Sequence, residues 1–332
     1  MLTHVQEIGF RTGQLVVAPI PDQEISAILA AIAKFYGPDV TPATLVPLDD
    51  EAELRDALRD ASPSIVTIAG TFRTALESDY SGIVIPRIWL DHLDVARRSL
   101  VLFALTLCLG RPTATDRIER RIVWDIKARG AALKAGHVPT FSEHAYEADL
   151  HTDTQYFPEP ERYLLLYFVK PAACGGGVSQ LRDMRCLKSQ LERTEEGCWA
   201  LDVLSRQELP FRIPTTFTAT ASPDTVEVTF ARIFGDRPGI RFRTDTLERG
   251  LAAFPEYDTP EIRKALTILQ AEVDNQTLRL DAYMEADSVL VINNHEVLHG
   301  RGAFTDHGRH ALRIRIADDI AQDETRVVLK TA

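Results

Sequence analysis

His151-Thr152-Asp153 sets an imidazole and a carboxylate two residues apart, and His299 supplies a second imidazole late in the chain. Two imidazoles and one carboxylate can occupy one face of an octahedral metal and leave three adjacent positions open, the donor set of non-haem ferrous sites. His299 sits in Asn294-His295-Glu296-Val297-Leu298-His299-Gly300-Arg301, and Arg309-His310-Ala311-Leu312-Arg313 follows. A metal that also binds a dicarboxylic ligand needs a fixed cation for the far carboxylate, and guanidinium pairs with carboxylate bidentately. The pattern predicts an enzyme.

An HxD pair alone carries little. The chain holds a second one, His92-Leu93-Asp94, at the head of an apolar run over 94–105. That run reads as a helix with Asp94 near its N-cap, and helical side chains two apart diverge, so this pair is structural. His151 and Asp153 are followed instead by the strand-forming run 162–169, ended by Pro171 and Gly175-Gly176-Gly177. In extended chain, residues i and i+2 face one side. A buried strand at 288–293 delivers His299 just beyond its end, and a β-architecture brings such sequence-distant strands together.

Arg309, Arg313 and Arg315 share parity on a strand predicted at 310–316, while His310, Leu312, Ile314 and Ile316 take its other face. His307 and His310 read as structural, and His137 and His144 precede the HTD in a loop.

Four motifs in order carry a family resemblance: HTD at 151–153, GGxS at 176–179, NxxxLHGR at 294–301 and RxxxR at 309–313. The chain resembles the Fe(II)/2-oxoglutarate-dependent dioxygenases of the taurine dioxygenase and clavaminate synthase-like superfamily. The motifs span about half the chain. The resemblance implies an α+β, mainly β fold, a double-stranded β-helix (jelly-roll, cupin-like) barrel buttressed by helices. It implies His151, Asp153 and His299 as Fe(II) ligands, with 2-oxoglutarate and O₂ as co-substrates. Arg309 and Ser179 fall where the family binds the distal carboxylate of 2-oxoglutarate. Arg313 matches a second arginine nearer the metal-binding end or the prime substrate. Asn294 is expected to orient the His299 loop rather than to ligate. Ferrous iron, one aspartate and a dianion leave the pocket near one net negative charge, which a buried arginine offsets. Related halogenases carry a small residue in place of the carboxylate; Asp153 argues for hydroxylation.

The elements that must position these groups can be read coarsely. Helices are expected near 22–36, 50–61, 94–109 and 183–193, and from Pro260 to about 275, with strands near 64–69, 121–127, 161–169, 209–217, 226–234, 288–293 and 310–316. No linker stands out, so 1–332 reads as one dioxygenase domain, a helical part to 115 packed on a jelly-roll core over 116–332 with helical insertions.

A net charge of −11 without a basic run argues against nucleic acid as partner, and the apolar run over 100–109 is too short to span a bilayer. Cys108, Cys174, Cys186 and Cys198 lack CxxC or framework spacing and read as reduced thiols; with no signal-peptide pattern, a cytoplasmic location is expected. The oligomeric state is left open. The polar segment 128–150 reads as a lid, and Glu143, Tyr146, Glu147, Gln155, Tyr156 and Arg315 are candidates for contact with a small-molecule substrate. The acidic members suit an amino or guanidino group and the arginines a carboxylate, which points to an amino acid or a compound derived from one. Desaturation, cyclisation or epimerisation by the same cofactors is the alternative outcome. A cupin-like metal-dependent hydrolase or isomerase, or a non-catalytic metal-binding protein, would use the three ligands without needing Arg309 or Ser179.

Overall fold

In the computed structural model, residues 11–78, 80–116, 119–128, 141–214, 225–318 and 327–331 are described. Their helices are α1 (Asp22–Tyr36), α2 (Glu51–Ala61), α3 (Pro63–Ser78), α4 (Val95–Leu109), α5 (Met184–Leu191), α6 (Glu195–Arg206), α7 (Thr244–Ala253) and α8 (Pro260–Val273). The strands that matter here are β1 (Thr12–Gln14), β2 (Gly82–Ile85), β3 (Arg111–Pro112), β4 (Trp124–Ile126), β5 (Ala148–His151), β6 (Tyr163–Lys170), β7 (Ser179–Asp183), β8 (Leu209–Arg212), β9 (Thr225–Ala231), β10 (Leu280–Ala282), β11 (Val289–Asn293), β12 (Val297–Arg301), β13 (His310–Ala317) and β14 (Val327–Thr331).

Three sheets result among the described residues. The largest runs β1-β2-β11-β6-β13-β3, with β4 also paired to β13; the second runs β10-β7-β12-β5, and the third β14-β9-β8. All pairings are antiparallel except β1 with β2.

Strand alternation decides what each face meets. On β13, Leu312, Ile314 and Ile316 join a core built with α1 to α4, including Ile28, Leu54, Phe72 and Phe103. Its other face carries Ala311, which packs with Leu164 and Phe168 of β6, Leu290 and Ile292 of β11, Leu181 of β7 and Val297 of β12. That small core therefore joins the inner faces of the first and second sheets, and Arg313 and Arg315 share the inner parity of Ala311. Leu298, on the outward parity of β12, joins a third core with α5 to α8 and β8. The first two sheets thus lie face to face, each backed by helices.

Local signals explain the helix starts. Asp94 accepts from the Arg97 N–H, Thr259 caps Ile262 ahead of Pro260, and Asp183 receives the N–H groups of Arg185 and Cys186. Two expectations are corrected. Residues 64–69 form no strand but the start of α3; Ile65, Ile68, Phe72, Ala75 and Leu76 are buried at helical spacing, a period that a six-residue β-branched window cannot reveal. The chain is also not mainly β, since helical residues outnumber strand residues among the described ones. Helices α6 and α7 and strands β1, β2, β3, β7, β10, β12 and β14 escaped the sequence reading. Residues 129–140 of the expected lid, with His137, and 215–217 of an expected strand lie outside the described residues.

Candidate active site

His151 closes β5 and His299 sits in the middle of β12, as a directly registered cross-strand pair with ring centroids 4.4 Å apart. His299 thus lies within a strand of its own, not just beyond β11. Asp153 is past the end of β5, in a turn that Thr154 completes with φ of +53°, so the HTD is not one extended segment as expected. The turn still delivers the carboxylate. His151 Nε2 is 3.4 Å and His299 Nε2 3.8 Å from Asp153 Oδ1. One ligand atom from each residue lies within 4.8 Å of the others, and all three residues are buried.

The turn is held by its neighbours. The Asn294 side chain accepts from the Asp153 N–H at 2.8 Å and donates to the carbonyls of Asp153 and Glu161 at 3.1 and 2.9 Å. It thereby clamps the aspartate side of the site. Thr152 exchanges backbone and hydroxyl hydrogen bonds with Phe242, and the Thr154 hydroxyl donates to Glu161.

The donor set fits a divalent metal. His151 Nδ1 lies 2.7 Å from the Asp149 carbonyl, which fixes the proton there and leaves Nε2 its lone pair. Burial and the neighbouring His151 push His299 down to about 3, so it is a neutral imidazole at any working pH. Burial alone would raise Asp153, but Arg313 and the two imidazoles outweigh it and hold the carboxyl well below its usual range. Neutral imidazoles and an ionised carboxylate are the forms that ligate.

Arg313 reaches this carboxylate from the facing sheet, its Nη1 2.9 Å from Asp153 Oδ2. The contact is an ion pair off the hydrogen-bond axis, so Oδ2 keeps no aligned donor. Arg309 differs. It is buried between the rings of Phe168 and Phe304, its Cζ 5.6 and 5.4 Å from their centroids, and its Nη1 has no hydrogen-bond partner. Among the described residues no carboxylate pairs with it. Burial, with Arg301 nearby, pulls it down to about 10. An unpaired buried guanidinium is costly unless an anion joins it, and so fits the far carboxylate of a dicarboxylic ligand. Gly177, at φ of +70°, makes room: a Cβ there would lie 2.9 Å from Arg309 Cδ and Nε. Ser179 is buried at the start of β7, registered opposite Arg301.

The substrate candidates divide: Tyr146 and Glu147 face solvent, whereas Gln155, Tyr156 and Arg315 are buried, with Arg315 and Tyr156 hydrogen-bonded to each other and within electrostatic reach of Asp153. Glu143 is buried, Tyr146 is 79% exposed and Glu147 is exposed. Gln155 is buried and donates to the Thr246 hydroxyl, and burial raises Tyr156 to about 12. Arg315 donates to the Ala114 and Thr115 carbonyls. His310 bonds Asp125 at 2.5 Å and His295 the Pro160 carbonyl at 2.8 Å, both away from the triad. Sequence reasoning missed Arg243 and Asp245. They form a bidentate pair at 2.6 and 3.0 Å, with Arg243 4.4 Å over the ring of Phe141, itself 5.0 Å from the His151 ring. An Arg-x-Asp at a helix start is too common to single out.

The profile of the family described as Taurine catabolism dioxygenase TauD, TfdA family matches residues 88–315, over two thirds of the chain. No curated protein sequence matches. Among solved structures, an asparagine oxygenase in complex with Fe(II), 2S,3S-3-hydroxyasparagine and succinate is similar at a TM-score of 0.62 and 17% identity, covering 91% of this chain and 93% of that one. The non-heme iron oxygenase OrfP in complex with Fe and alpha-ketoglutaric acid is similar at 0.59 and 17%, covering 92% and 95%. OrfP in complex with Fe, succinate and (3S)-hydroxy-L-Arg gives 0.58 and 17%, covering 92% and 94%. No helix among the described residues is long and apolar enough to cross a membrane. With its His-Asp-His centre and this profile over most of its length, the chain belongs to the taurine catabolism dioxygenase TauD, TfdA family, and is an Fe(II)- and 2-oxoglutarate-dependent dioxygenase.

Proposed function

We propose that this chain hydroxylates an amino acid or a small amino-acid-derived compound, acting as one dioxygenase domain on a jelly-roll core. His151, Asp153 and His299 hold Fe(II), Arg309 and Ser179 hold the distal carboxylate of 2-oxoglutarate, and Arg313 steadies Asp153 near its metal-binding end. The observation that carries this reading is a buried Arg309 without an anionic partner among the described residues, in a fold that also gathers a buried two-imidazole, one-carboxylate cluster.

When bound, ferrous iron and 2-oxoglutarate supply the activation of O₂, with succinate and CO₂ as co-products. The chain's own groups set where that happens. Arg313 keeps Asp153 ionised, and the Asp149 carbonyl keeps His151 in the ligating tautomer. Asp153 fills the position that halogenases leave small, which supports oxygen rather than halogen transfer.

Two observations support the amino-acid class. The Arg243–Asp245 pair presents both charge signs beside Phe141 and His151, as a zwitterion requires. Two proteins of similar fold, the asparagine oxygenase and OrfP, are in complex with 2S,3S-3-hydroxyasparagine and (3S)-hydroxy-L-Arg, which supports the same class here.

The test is an anaerobic screen of amino acids and derivatives against the Fe(II)–2-oxoglutarate protein, read as a shift of the metal-to-ligand absorption band, with hits run in O₂ and weighed. A mass gain of one oxygen supports hydroxylation. Loss of two hydrogens, or unchanged mass with 2-oxoglutarate consumed, assigns desaturation or cyclisation, or epimerisation, instead. Absence of any shift or product across the amino-acid set overturns the substrate class.

A further inference from the structure

Arg301 lies two residues beyond His299 on the same face of β12, and no carboxylate pairs with it among the described residues. Its guanidinium is spent on backbone. It donates to the carbonyls of Phe141, His144 and Tyr146 at 3.1, 2.8 and 2.7 Å, three acceptors within one short turn. A fourth carbonyl of that turn, Ala145, accepts the Phe304 N–H at 2.9 Å. The turn 141–146 thus hangs on residues 301 and 304 on one side, while on the other Ser142 accepts from the Lys127 N–H and from Trp124 Nε1 at 3.0 Å each.

Those anchors also border Arg309. The Phe304 ring carries Arg301 Cζ at 4.9 Å and Arg309 Cζ at 5.4 Å, so two guanidiniums share one aromatic platform. At its other end the turn presents Phe141, 5.0 Å from the His151 ring and capped by Arg243. A continuous packed path therefore runs from Arg309, through Phe304 and Arg301, to the wall beside His151.

We infer that Arg301 is a positioning residue that couples occupancy of the Arg309 anion site to ordering of the 141–146 turn, so that co-substrate binding builds the substrate-side wall. The physical reason is charge. Two close, buried cations repel, which weakens the stack and the turn hanging from it; a carboxylate on Arg309 removes the repulsion. Coupling of this kind is a free energy between sites and needs both states to differ in contacts, here the carbonyl clamp.

The inference rests on the reading of Arg309 as the 2-oxoglutarate anchor, so two signals are followed separately. Anaerobic absorption titration of the Fe(II) protein reports 2-oxoglutarate binding, and hydrogen exchange of the peptide covering 141–147 reports the turn. In the unaltered protein, saturation with 2-oxoglutarate should slow exchange in the turn about tenfold, within the usual range of site–site coupling. Arg301→Lys keeps the charge but not the three-pronged donor geometry. It should still titrate with 2-oxoglutarate to within about tenfold, yet lose the added protection. If Arg301→Lys does not fold, Phe304→Leu, which removes the shared platform, should show the same loss. Equal protection with and without 2-oxoglutarate in the unaltered protein, or full protection in the folded variant, overturns the coupling. Absence of any 2-oxoglutarate titration in the unaltered protein overturns the Arg309 reading itself.

Discussion

Arg313 Nη1 lies 2.9 Å from Asp153 Oδ2, joining the inner face of the larger sheet to the turn after β5 by a buried ion pair. Truncating one partner of such a pair strands the other charge, at a cost of about 3–5 kcal/mol. Arg313→Met should therefore destabilise the metal-free protein by that order at neutral pH. The sign of the pH effect follows from Asp153, whose folded-state carboxyl is depressed. Its contribution is present above the unfolded carboxylate range and is lost as pH falls through the lower folded value. The gap between the two proteins should close on acidification, as urea unfolding at a series of pH values in chelator will show.

Arg309→Ala should raise the 2-oxoglutarate requirement by about two to three orders of magnitude, since each 1.4 kcal/mol is tenfold. Iron affinity should be nearly unchanged. Ser179→Ala should act in the same direction but more weakly, through loss of one hydrogen bond to a charged group. Parallel titrations of metal and co-substrate separate the two effects; an unaltered 2-oxoglutarate curve in Arg309→Ala would move the assignment to Arg313.

Gly177 offers an independent route to the same anchor. A Cβ there is strained at φ of +70° and falls 2.9 Å from Arg309 Cδ and Nε. Gly177→Ala should displace the arginine and raise the 2-oxoglutarate requirement about tenfold or more, the order of a lost 1–3 kcal/mol of backbone strain and contact. Gly175, also at positive φ but with open space around it, is the control: substitution there should leave co-substrate binding unaffected.

The motifs were legible because metal chemistry dictates both residue type and short spacing. The three residues of HTD and HGR reach one place in the fold, and strand parity alone put Arg313 and Arg315 opposite Leu312, Ile314 and Ile316. What stayed hidden depends on tertiary contact. Asn294 turns out to clamp Asp153, a partner far away in sequence. Arg301 reads as part of a motif, yet its partners are carbonyls of 141–146, which leave no mark on side-chain identity. The start of α3 mimics a strand because β-branched residues cluster in its first turns, and only burial continuing to Leu76 resolves the period.

Asn294→Ala removes three hydrogen bonds around Asp153 without touching a ligand. Loss of a residue that orients a ligand commonly weakens metal binding about 10- to 100-fold. Competition titration with a chromophoric chelator should report a drop of that order. Unchanged metal affinity would mean that the turn holds Asp153 without the clamp.

The most direct measurement is an anaerobic 2-oxoglutarate titration of the Fe(II)-loaded protein, followed through the metal-to-ligand absorption band. The unaltered protein should develop a saturable band at one equivalent of iron per chain, and His151→Ala, Asp153→Ala and His299→Ala, each checked for folding, should develop far less of it or none. A folded unaltered protein that binds iron but gives no band, or a His299→Ala protein with a full band, would contradict the assignment of these three residues and the open positions beside them.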